Sequence, residues 1–235
     1  MSNISPGAAT SPAIGDAATG PAYPAYPARP AGDLRIDPQS LARLRTEFRS
    51  RGAAVHGPPA IQADIHAQLL NEALAQRKNA SWSLIANGCP GEISQHNLRA
   101  YLGPHARNFL AAPEVLENLR QVTGYRLVPS WSASCYTYYD GPGQHMGEHC
   151  DKEEACRIAL LVYLQTIWAP DAQPSTGLQL HVFRSDNAAS GLVLRITALS
   201  NRIVFLNGAE QAHLRPALAP GEHMTLLAGC YQLSP

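Results

Sequence analysis

From Gly124 onward the chain alternates short runs of aromatic and β-branched residues with Gly, Pro, Asn and Asp. Runs of that length and composition read as strands, and the punctuation between them as turns. The runs are Leu127–Tyr139, Arg157–Leu164, Leu178–Phe183, Leu192–Thr197, Arg202–Leu206 and His223–Gln232. Many short strands at regular spacing predict a closed or sandwiched antiparallel sheet of the jelly-roll or cupin kind, a double-stranded β-helix. The preceding stretch has a different period. Asp37-Pro38 is a helix start, Leu41, Leu44 and Phe48 recur at helical spacing, and Gly52 stops the run. Ala53 to His56 is short and extended. A second stripe follows with Ile61, Ile65, Leu69 and Ala73, and a third runs from Pro113 through Val115, Leu116 and Leu119 to Gly124. The expected class is α+β, with helices packed outside a β-barrel core. The helical lead-in spans 34–124 and the barrel 125–235, together one domain.

Composition limits what such a fold could serve. The chain has 235 residues and is 45% apolar, enough for a full core. Residues 1–33 hold mostly Ala, Pro, Gly and Ser, with too little aliphatic surface to offset the entropy of ordering, so a disordered tail is expected there. Lys+Arg and Asp+Glu both number 18, and no basic stripe offers phosphates a track, which argues against nucleic acid as a partner. No apolar run is long enough for a membrane span, and no secretory leader is evident. Five scattered cysteines without a CxxC pair suit reduced thiols. Those features together predict a cytoplasmic protein. Oligomeric state is left open.

The chemistry lies in Tyr139-Asp-Gly-Pro-Gly-Gln-His-Met-Gly-Glu-His149-Cys150-Asp151. Residues two apart on a strand share a face, so His149 and Asp151 can offer an imidazole and a carboxylate to one metal. A third ligand must come from elsewhere, and His213, beyond the apolar run 202–206, is the candidate. Two His and one carboxylate on one side of an ion leave positions open, as non-haem Fe(II) oxygenases require.

The order of these features resembles the Fe(II)/2-oxoglutarate-dependent oxygenases, in particular their prolyl-4-hydroxylase-like branch. The resemblance covers roughly residues 127 to 231. It rests on the Tyr-rich run Cys135–Tyr139, the HxD of His149 and Asp151, Arg157 leading to Tyr163-Leu164-Gln165, Thr176-Gly177-Leu178-Gln179-Leu180, and Val204-Phe205 before His213. It implies that His149, Asp151 and His213 hold the iron. It implies that Tyr139, with a cation about ten residues beyond the distal His, holds the far carboxylate of 2-oxoglutarate. That place falls on His223, with Thr225 two residues on, where relatives carry Arg or Lys. Arg157, Arg195 and Arg202 are alternative cations. The implied activity is hydroxylation, or another oxidation, of an unactivated C–H bond by O₂, with succinate and CO₂ as coproducts. The expected substrate is a small molecule such as an amino acid or natural-product intermediate. A peptide prolyl hydroxylase and a non-enzymatic jelly-roll binding module are the competing readings.

Overall fold

A computed structural model describes residues 34–82, 95–169, 177–185, 189 and 191–235. The expected tail at 1–33 lies outside the described residues, as does Thr176. The first helix, α1 (Pro38–Arg51), forms as its end signals require. Asp37 accepts from Ser40 N at 2.9 Å, Pro38 opens the first turn, and Gly52 closes the last at φ 68°. Leu41, Leu44 and Phe48 are its buried stripe. Next come β1 (Ala53–His56), α2 (Ala63–Gln76), a 3₁₀ turn (Arg77–Asn79), β2 (Ser81–Trp82), β3 (Gln95–His96) and β4 (Leu98–Ala100). Two further helices, α3 (Pro104–Leu110) and α4 (Pro113–Thr123), precede β5 (Leu127–Pro129), β6 (Cys135–Tyr139), β7 (His145–His149), β8 (Ile158–Ile167) and β9 (Gln179–Phe183). The chain ends with β10 (Leu192–Thr197), β11 (Arg202–Leu206), β12 (His213–Arg215) and β13 (His223–Leu233).

Among the described residues these strands form two antiparallel sheets. The larger has the order β1-β11-β8-β13-β6-β4-β2, with β5 also paired to β13; the smaller is β10-β9-β12-β7-β3. Several strand neighbours in space are far apart in sequence. Thus β13 lies between β8 and β6, and β12 between β9 and β7.

Alternation along the central strands separates two cores. Ile158, Leu160, Val162 and Leu164 of β8, with Leu227 and Tyr231 of β13, pack into one cluster with the helix residues Leu44, Leu69, Phe109 and Leu119. Ala159, Leu161 and Tyr163, with Met224, Leu226 and Cys230, face the other way and meet Leu180, Val182 and Ile196 of the smaller sheet. The second core is the space between the sheets, and it carries the site.

The expected strand 127–139 is two strands, because Trp131 to Ala133 turn between them. Trp131 and Trp168 are 38% and 37% exposed. The thiol expectation is corrected too. Cys156 and Cys230 form a disulfide across a sequence separation of 74, because the pairing of β8 with β13 sets Cys230 opposite Ala159. Sequence spacing carries no sign of that closeness. Cys135 and Cys150 are buried and lie outside that disulfide.

Candidate metal centre

Strand β7 delivers His149 at its last residue, and Asp151 stands two residues beyond the strand end. Strand β12 lies antiparallel to β7 with His213 directly opposite His149. The two imidazole centroids are 4.1 Å apart, and His149 Nε2 is 3.7 Å from Asp151 Oδ1. One potential ligand atom from each of His149, Asp151 and His213 lies within 4.8 Å of the others. The structure therefore brings the three expected ligands together.

Their orientation is set by the backbone. His149 Nδ1 faces Gly147 O at 2.9 Å, and His213 Nδ1 faces Gln211 O at 2.9 Å. A carbonyl can only accept, so Nδ1 carries the proton in both rings and Nε2 presents a lone pair. Asp151 N donates to Gly208 O at 2.8 Å. A Cβ at residue 208 would collide with the Asp151 carboxylate as it now stands, so glycine there leaves the carboxylate its place. Burial and the neighbouring His213 push the His149 pKa down to about 3, which keeps the imidazole neutral. Burial raises that of Asp151, while His213 and Arg99 act against the rise. A buried carboxylate that resists ionising is stabilised by a bound cation.

The cluster opens on a small cavity of about 90 Å³. Tyr139, Arg215, Thr137 and Arg99 line it as well, with Ala159, Leu161, Leu180, Leu206 and Leu226 as its apolar walls. Arg215, two residues after His213 on β12, is 1% exposed. Its Nη2 donates to Tyr163 Oη at 3.0 Å, and its guanidinium carbon lies 5.4 and 5.5 Å from the ring centres of Tyr139 and Tyr163. Among the described residues, its Nε and Nη1 are buried without a partner. Tyr139 Oη accepts from Asn97 Nδ2 at 3.0 Å.

The expected cosubstrate residues separate. Tyr139 lines the cavity; His223, Thr225 and Arg157 do not. The parity of β13 decides the first two. Its even residues Leu226, Ala228 and Cys230 line the cavity, whereas odd residues such as Leu227 and Tyr231 join the helix-side core. His223 and Thr225 share a strand face as expected, but it is the odd one. Arg157 is bound by Glu153, Glu210 and Tyr125 Oη. Arg202 donates to Thr197 O, and Arg195 is exposed. Sequence reasoning missed Arg215, Arg99 and Asn97. The spacing of two from His213 was an available signal for Arg215. Nothing in Gln95–Ala100 marks strands β3 and β4.

No protein-family model matches this sequence, and neither does any curated protein. Solved structures do match. A Pseudomonas putida prolyl-4-hydroxylase superposes with a TM-score of 0.58 at 18% identity, covering 82% of this chain and 98% of that one. The non-haem α-ketoglutarate-dependent epimerase SnoN from nogalamycin biosynthesis gives 0.63 at 13% identity, covering 83% and 82%. HygX from Streptomyces hygroscopicus, solved with nickel, 2-oxoglutarate and hygromycin B bound, gives 0.54 at 14%, covering 85% and 88%. At such identities the likeness is one of fold, and the fold is that of the group the sequence resembles.

Proposed function

We propose that this chain is a non-haem Fe(II)/2-oxoglutarate-dependent dioxygenase that oxidises an unactivated C–H bond of a small molecule. Its two sheets would form a double-stranded β-helix within one domain, residues 34–235. One observation carries the reading: a His–Asp–His cluster shares a cavity with a fully buried guanidinium, two of whose nitrogens have no partner among the described residues. Two neutral imidazoles and a carboxylate suit Fe(II). A buried, incompletely bonded Arg is costly unless a ligand completes it, and a carboxylate fits its fork.

His149, Asp151 and His213 would hold the iron, their orientation set by Gly147, Gln211 and Gly208. Arg215, with the hydroxyls of Tyr139 and Tyr163, would grip the far carboxylate of 2-oxoglutarate, the place that the resemblance assigned to His223. When bound, iron and 2-oxoglutarate supply the oxidising power, consuming O₂ and yielding succinate and CO₂. The leucine walls keep water from that chemistry. The folds of SnoN and HygX, whose names point to small molecules, support a substrate of that size.

The test is an anaerobic titration of Fe(II) and 2-oxoglutarate, reading the visible charge-transfer band. Wild type should develop it and Asp151→Ala should not. Arg215→Gln should weaken 2-oxoglutarate binding by about tenfold or more, while His223→Ala leaves it unchanged. A wild-type protein that forms no band would overturn the proposal.

A further inference from the structure

Arg99 is a second arginine in the same cavity. It lies on β4 directly opposite Thr137 of β6 and lines the cavity with His149 and Asp151. Its Nε donates to Cys135 Sγ at 3.0 Å and its Nη2 to Ala133 O at 3.4 Å. No ion pair joins Arg99 to a carboxylate among the described residues. Elsewhere Arg43, Arg77, Arg120 and Arg157 each bind a Glu or Asp. The two cavity arginines differ from these in lining the same cavity as the His–Asp–His cluster. They differ in burial: Arg215 is fully buried, whereas Arg99 is half-buried.

Charge balance gives this difference a consequence. The inference rests on the iron and 2-oxoglutarate reading. In the loaded site the two positive charges of the ion and that of Arg215 are matched by Asp151 and the dianionic cosubstrate. Arg99 is left over, a partly desolvated cation facing a cavity walled by leucines. An unmatched charge in such surroundings is unfavourable, and a guanidinium presents a fork that fits a carboxylate. The remaining molecule to enter from the mouth is the substrate. We infer that Arg99 binds an anionic group on the substrate, so that the enzyme acts on a small molecule carrying a carboxylate. Through that contact Arg99 would orient the substrate over the metal, which makes it a specificity-determining residue.

The full-length protein, loaded anaerobically with Co(II) and saturating 2-oxoglutarate, tests this without turnover. The probes are acetate, propanoate, benzoate and the proteinogenic L-amino acids, each beside its carboxamide, with binding read from the Co(II) visible spectrum and by calorimetry. At least one acid should bind about tenfold tighter than its amide. Arg99→Gln should abolish that preference and Arg99→Lys should keep part of it, with 2-oxoglutarate affinity changed by less than about threefold in both. Arg215→Gln should do the reverse, weakening 2-oxoglutarate and sparing the preference for acids. Three results would overturn the inference: acids binding no better than amides, no acid binding at all, or Arg99→Gln losing 2-oxoglutarate as Arg215→Gln does. Failure of wild type to form the Co(II)–2-oxoglutarate complex, seen before any probe is added, overturns the functional reading itself.

Discussion

His149 illustrates how burial would prepare a candidate metal ligand before any metal arrives. Desolvation and the adjacent His213 bring its pKa from an ordinary 6.5 to about 3. His56 is lowered as well, by burial and by Arg43. For a His lowered on folding, the unfolded chain binds more protons between the two values, so stability is present above the unfolded pKa and is lost as pH falls through that window. Chelator-treated protein should thus become less stable between pH 6.5 and 3, measured by urea unfolding. Asp151, raised by burial, acts in the opposite sense, so the informative comparison is with His149→Gln, which should show a shallower slope. An unchanged slope would mean that the folded protein protonates His149 as readily as the unfolded one. Gly208 matters at the same scale. Gly208→Ala would force the Asp151 carboxylate aside and should weaken Fe(II) binding roughly 10–100-fold while circular dichroism stays native. Unaltered affinity would show that the loop gives way instead.

At the scale of elements, the site depends on three-residue β12 lying between β7 and β9. That placement sets His213 across from His149 and, by the two-residue repeat, sends Arg215 into the same cavity. The long strands β8 and β13 were legible because their apolar runs are continuous, as strands covered on both faces must be. The caps of α1 and the ends of α4 were equally plain. By contrast β3, β4 and β12 lack β-branched runs, and neighbours rather than propensity hold them extended. Parity along β13 was the point at which reasoning by resemblance parted from the structure, since a shift of one residue carries a side chain to the other face.

Across the whole molecule, the Cys156–Cys230 disulfide joins the approach to β8 with the end of β13, and Cys230 also lines the cavity. A link over that separation restricts the unfolded chain. Cys156→Ser should lower unfolding stability by about 2–4 kcal/mol in denaturant titrations without reductant. Equal stability, together with no 156–230 linked peptide on non-reducing digestion, would show that the thiols stay apart in solution. Among the described residues no helix is long and apolar enough to cross a membrane. By itself the sequence determined the strand-rich half, the helical lead-in and the three metal-ligand candidates, because periodicity, capping and HxD spacing are local properties. Only the tertiary structure decided which cation faces the cavity, which cysteines meet and that Arg99 lines the same cavity as the three candidate ligands. Those outcomes depend on strand order and register, which bring together residues that chain spacing keeps apart.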